Sequence, residues 1–218
     1  AARRVPGPIS LAAPVLAGLY PPVIHFAGRT MGESISTALM VIALERVDVA
    51  KTSKWQAPAL AGLLLGAAVI VRYGSAVVVI AALLWLIAQR AWRPLLYPVL
   101  GGLVALVALG ALDWATWGAP FHSFRKYIEF NVVSGQAATQ CGAAEWWVFF
   151  PVLGWVVIWA WPGLVLGLIR RSTGVSLFAV SGLAYLLAIS TAAHKEARFL
   201  YPTMVLWVIA AVPPWLAL

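Results

Sequence analysis

Charge is scarce in this chain, and acid is scarcest: seven Asp and Glu occur in 218 residues, and charged residues make up 10% of the total. A water-soluble domain devotes about a quarter of its residues to charge, so the scarcity excludes an ordinary soluble fold. Cysteine occurs once, at Cys141, which excludes an internal disulfide and any cysteine-built metal centre. No HxxxH or Cys/His spacing indicates a metal site. Neither a G-x-G-x-x-G run nor a P-loop is present, which argues against a cytosolic nucleotide-sugar or ATP site. No soluble cofactor is implied.

What fills the chain instead is apolar. Hydrophobic residues make up 63%, tryptophan occurs twelve times, and the mean hydropathy is +0.92. Eight apolar segments stand out, at about 9–26, 34–45, 57–71, 75–89, 95–112, 147–169, 174–193 and 199–217. Lipid offers no partners to an open backbone, so the expectation is an all-α fold. It would be a polytopic transmembrane bundle of about eight segments, with residues 1–218 as one transmembrane domain. Segments 34–45 and 75–89 fall short of the ~20 residues of a perpendicular span. Kinks are expected at Pro21-Pro22 and Pro162, where a backbone donor is missing.

The net charge of +8 does not point to nucleic acid, because the basic residues are scattered over loops. They alternate instead. The loops 46–56, 90–94 and 170–173, with Arg3 and Arg4, hold nine basic residues against Glu45 and Asp48, a net of +7. The other set of loops nets +1 and carries five of the seven acids and all three histidines. The positive-inside rule assigns the first set to the cytoplasm. The second is then periplasmic or lumenal, and its mixed charge is what a polar site looks like. Alanine-rich helices favour a bacterial inner membrane over the endoplasmic reticulum.

The longest outer-face loop spans 113–146. Phe121, Phe124, Ile128 and Val132 recur at helical spacing, with His122, Arg125, Lys126 and Glu129 facing elsewhere. This predicts an amphipathic helix over 120–133 lying on the membrane surface.

Near the end of the chain, "HKEARFLYP" (His194 to Pro202) places four polar or charged residues within five positions, between two apolar runs. A solvated loop with snorkelling cations accounts for such a cluster in general. Here Glu196 sits between Lys195 and Arg198, and Tyr201-Pro202 starts a new apolar run at once. Cations held that close to the membrane boundary can bind a phosphate whose lipid tail stays in the bilayer.

"HKEARFLYP" resembles the HKExRF signature of the lipid-phosphate-mannose-dependent mannosyltransferases, glycosyltransferase family 22 of the GT-C superfamily. The stretch "DWATWGAPFHSFRKYIEFNVVSGQAATQCGAAEWW", from Asp113 to Trp147, is similar to the family's outer-loop pattern. "FAGRT", from Phe26 to Thr30, is similar to its Arg-Thr at the end of an early helix. After Arg-Thr the family continues with Ser-Asn and a later Glu, and "RTMGESIS" places Glu33 and Ser36 near those positions, so that Arg29 and Glu33 read as a local helix pair. The family's acidic motif in the first outer loop, which supplies the general base, has no counterpart in this sequence. The chain is accordingly read as the C-terminal part of a GT-C module, with the base expected upstream of Ala1.

The resemblance implies transfer of a mannose-like sugar from a polyprenyl- or dolichyl-phosphate donor to a glycan or glycolipid acceptor on the outer face, with the lipid phosphate leaving. Lys195 and Arg198, three residues apart and able to share one side of a helical turn, are the candidate cations for that phosphate. His194 and Glu196 would orient them or contact sugar hydroxyls. Arg72 is either a helix-end snorkeller or a phosphate ligand. Asp113 is either a helix-end acid or a site carboxylate. His25 and His122 read as interface residues. The rival readings are a small-solute transporter, which predicts mid-helix charge and internal repeats, and a non-catalytic membrane subunit of the same fold.

Overall fold

The computed structural model describes residues 15, 18–27, 31–48, 54–158, 160–169 and 176–216. Among them the protein is all-helical, with no β-strand. The helices are α1 (Pro21–Ala27), α2 (Gly32–Asp48), α3 (Gln56–Val71), α4 (Ala76–Ala88), α5 (Trp92–Trp117), α6 (His122–Ile128), α7 (Gln136–Cys141), α8 (Phe149–Val156), α9 (Ala160–Ile169), α10 (Leu177–Thr191) and α11 (Tyr201–Leu216). Short 3-10 turns at Tyr73–Ser75 and Ala197–Leu200 lead into α4 and α11.

The apolar segments from 34–45 onward all fall on helices, but most are too short to count as spans. Among the described residues only α5, 26 residues and so about 39 Å long, is long and apolar enough to cross a membrane by itself. The pair α8–α9 makes a second candidate if its two arms, bent by 94°, are one broken span. The sequence expectation of about eight spans is therefore not confirmed; among the described residues one or two pass by length and composition. Of the first segment, 9–26, residues 9–14, 16 and 17 lie outside the described residues. The bend in 147–169 opens at Val157, in the turn before Pro162, whose missing N–H and ring exclude a helical bond to the Ile158 carbonyl; Pro162 itself sits in the first turn of α9. Pro21 likewise starts α1.

The core gathers around α11, which is buried from Tyr201 to Val212 at every position except Ile209. It presses against α10 at Gly182, where an added Cβ would come within 2.5 Å of Trp207, and Thr203 donates to the Gly182 carbonyl at 3.3 Å. Helices α3 and α5 cross still more closely. A Cβ on Gly62 would meet the Pro98 carbonyl at 1.9 Å, and one on Gly101 the Ala59 carbonyl at 2.1 Å. Such backbone contact through small residues is how helices pair where no water drives them together. The outer side of α5 stays bare, with Leu103, Val104, Leu106 and Val107 about half or more exposed.

Short connections make α2 to α5 run alternately up and down, so the bundle has two ends. The N-terminus of α2, the C-termini of α3 and α5, and the start of α11 meet at one of them, where a Cβ on Gly32 would lie 3.3 Å from the Val71 carbonyl. Arg46, Lys54, Arg90 and Arg93 belong to the other. This is the partition of charge that the loop pattern predicts.

Candidate functional site

At the first end, residues far apart in sequence converge. Glu33, in the first turn of α2, is buried to 3% exposure. Arg72 follows α3 in extended backbone, and its Nη1 donates to Glu33 Oε1 at 2.7 Å while its Nε donates to the Tyr185 hydroxyl on α10 at 3.2 Å. Arg198, in the 3-10 turn before α11, donates through Nη2 to Glu196 Oε1 at 2.7 Å. Its Nε lies 3.6 Å from the same Glu33 oxygen, within ion-pair range but beyond a hydrogen bond, and that buried nitrogen has no hydrogen-bond partner among the described residues. Both guanidiniums rest against the ring of Phe199, Arg72 at 4.6 Å and Arg198 at 5.7 Å from its centroid, within the ~6 Å of a cation–π contact. The sequence reading had Arg72 as either snorkeller or ligand; its side chain turns into this cluster.

His194 extends the chain of contacts outward. Its Nε2 meets Glu196 Oε1 at 2.9 Å and its Nδ1 the Gly142 carbonyl at 3.3 Å. The hydrogen bond from His194, opposed in part by burial and helped by Arg198, holds the Glu196 carboxyl below its ordinary range.

Lys195 is placed apart from Arg198. The helical turn begins at Ala197, after Lys195, so the two cations do not share one side of a turn as the spacing suggested. The ammonium donates to the carbonyls of Ala144, at 3.1 Å, and Ala192. Its pKa is lowered by partial desolvation, with Glu145 acting against that. The Ala144 N–H donates back to Ala193 at 3.0 Å, so Lys195 fastens 142–145 beside 192–195.

Asp113 is buried at the C-terminal end of α5, and its Oδ2 accepts from the Ser123 N–H at 2.8 Å and hydroxyl at 2.6 Å. The Ser123 hydroxyl also lies 2.6 Å from that of Tyr73, the neighbour of Arg72. Asp113 thus anchors the start of α6 and touches the arginine cluster only through this relay. The surface helix is shorter than expected: α6 ends at Ile128 and a π-turn covers Glu129–Val133. Lys126 and Glu129 are exposed and paired at 2.7 Å, as expected, but Phe124 and Val132 are exposed too, at 41% and 69%. Phe124 packs on the Tyr73 ring at 5.3 Å.

Arg29 lies outside the described residues, so the local Arg29–Glu33 pair is not among the contacts seen; Glu33 instead reaches 39 positions along the chain to Arg72. Sequence reasoning missed Tyr185 and Phe199. A lone phenol in an apolar helix was the one available signal for the first; the second is the aromatic of the HKExRF pattern, to which no role had been given. No group of three or more His, Cys, Asp or Glu that could hold a metal occurs among the described residues.

The site therefore offers two guanidiniums, each fixed on one edge by a carboxylate, beside an aromatic ring at the end of an apolar bundle. Such an arrangement can receive an anion with a hydrophobic tail. The profile of the Alg9-like mannosyltransferase family matches residues 10–214. No curated protein sequence and no solved structure matches the chain.

Proposed function

The chain belongs to the Alg9-like mannosyltransferase family, a family of glycosyltransferases, and from that premise we propose that it transfers a mannose-like sugar from a polyprenyl- or dolichyl-phosphate donor to a glycan or glycolipid acceptor. The reaction takes place on the periplasmic or lumenal face of a membrane. The observation that carries the reading is the convergence of Arg72 and Arg198 on one buried oxygen of Glu33 beside Phe199.

As the anomeric carbon passes from lipid phosphate to acceptor hydroxyl, negative charge builds on the leaving phosphate. Cations already in place stabilise that charge without reorganising. Among the described residues, Nη2 of Arg72 and Nη1 of Arg198 are left without a partner and can take the phosphate oxygens, Arg binding them in forked geometry. His194 and Glu196 orient Arg198. Lys195 adds positive charge at the rim while its ammonium holds the 142–145 segment. The lipid tail lies along the bare side of the bundle. The hydroxyl attack needs a carboxylate base; Glu33 and Asp113 are buried, and Glu196, the partly exposed carboxylate of the cluster, is engaged through Oε1 by His194 and Arg198.

The test is sugar transfer from lipid-linked donor in membranes carrying the full-length enzyme, with expression measured. Arg198→Lys keeps the charge but loses the fork, and turnover should fall about ten- to a hundredfold, the equivalent of one charge-assisted hydrogen bond of roughly 1.5–3 kcal/mol. Lys195→Ala should fall less, because its ammonium is already held by carbonyls. Near-normal turnover in both Arg198→Ala and Arg72→Ala would defeat the reading.

A further inference from the structure

We propose that Glu33 is the positioning residue of this anion site, aiming Arg72 and Arg198 through one carboxylate oxygen; the inference rests on the reading of those two arginines as the phosphate-binding pair. Glu33 is not placed to act on substrate itself. It is buried to 3%, and its Oε1 already accepts from Arg72 at 2.7 Å with Arg198 at 3.6 Å.

It is also the most firmly held member of the cluster. It sits in the first turn of a 17-residue helix, where the helix dipole favours a carboxylate. Its carbonyl accepts from the buried hydroxyls of Thr37, at 2.6 Å, and Ser36, at 3.2 Å. The arginines, by contrast, leave non-helical or 3-10 backbone on long flexible stems. Without Glu33, Arg72 keeps Tyr185, Arg198 keeps Glu196 and both keep the Phe199 ring, but no charged group is left between the two guanidiniums.

Two opposite effects follow from removing the Glu33 charge. The site becomes more positive, which strengthens the ground-state pull on a phosphate. The arginines lose their common anchor, which weakens their aim at the charge that develops as the phosphate leaves. The first effect acts on KM and the second on kcat, so kinetics separates them. A misplacement of about 1 Å in such a group is enough to slow a reaction up to a hundredfold.

The experiment uses the full-length enzyme in membranes, radiolabelled polyprenyl-phosphate mannose as donor, and folded enzyme quantified for each variant. Glu33→Gln is expected to lower kcat about ten- to a hundredfold with donor KM unchanged or lower. Glu33→Gln placed on Arg72→Gln should cost less than Glu33→Gln costs in the wild type, because the share of its effect that runs through Arg72 is already lost. Should Glu33→Gln fail to fold, Glu33→Asp keeps the charge but withdraws the oxygen by one methylene, and the same drop in kcat is expected. Normal kcat per folded molecule with normal KM, a raised KM at unchanged kcat, or additive losses with Arg72→Gln would each overturn the proposal. If Arg72→Gln and Arg198→Gln themselves turn over normally, the anion reading beneath it has failed, and the proposal with it.

Discussion

Glu196 joins the exposed edge of the site to its interior, with His194 on one side at 2.9 Å and Arg198 on the other at 2.7 Å. This part of the site was legible in sequence, because the three residues fall within five positions. Its inner half was not: Arg72 meets Glu33 across 39 positions and Tyr185 across 113, and only the packing of α2, α3 and α10 brings them together. The Glu196 contacts also set a pH dependence. Its carboxyl is held below the ordinary value, so the folded state binds its proton more weakly than the unfolded chain does. The stability it contributes is then complete above the ordinary Glu pKa of about 4.3 and is lost as pH falls through the lower folded value. Thermal unfolding in detergent should show wild type ahead of Glu196→Gln near neutral pH. That advantage should close as pH is lowered from about 5 toward 3. An advantage that persists unchanged to pH 3 would mean the carboxylate is not what the neighbours bind.

Elements were more legible than their interruptions. The 18-residue apolar run at 95–112 predicted the middle of α5, and helical spacing found α6 inside the long outer loop. The break at Val157 was legible only as a kink expected at Pro162, because its own neighbours are as apolar as the rest of the run. Nor was the role of Asp113, for which a helix-end acid and a site carboxylate read alike until Ser123 supplied both partners. Two hydrogen bonds to one carboxylate oxygen make Asp113 the clasp that holds α6 against α5. Asp113→Ala leaves the Ser123 N–H without its acceptor, a loss of roughly 1.5–3 kcal/mol locally. Amide hydrogen exchange should then accelerate across 118–128 while α3 and α11 keep their protection. Uniform acceleration through the bundle would assign Asp113 to the core instead.

For the whole molecule, loop charge alone divided the chain into two sets, and the up-and-down course of α2 to α5 gathers those sets at opposite ends of the bundle. The number of spans is not confirmed, because short apolar runs such as 34–45, 57–71 and 75–89 serve helix–helix packing as well as they serve lipid. In the proposed topology the end carrying Glu33, Arg72 and Arg198 faces outward. With the exposed Cys141 replaced by serine, a membrane-impermeant thiol reagent applied from outside should label Ser134→Cys and spare Lys54→Cys. The reverse pattern would move the site to the cytoplasmic side.

The central claim is that the sugar comes from a lipid phosphate and that the arginine pair receives that phosphate as it leaves. The most direct measurement gives membranes carrying the full-length enzyme one of two labelled donors, polyprenyl-phosphate mannose or a mannose nucleotide, with synthesis of lipid-linked mannose from the nucleotide blocked. Label should move into glycan from the lipid donor alone, and Arg198→Ala should suppress that transfer. Transfer from the nucleotide under the block, or transfer from the lipid donor that ignores both arginines, would contradict the account.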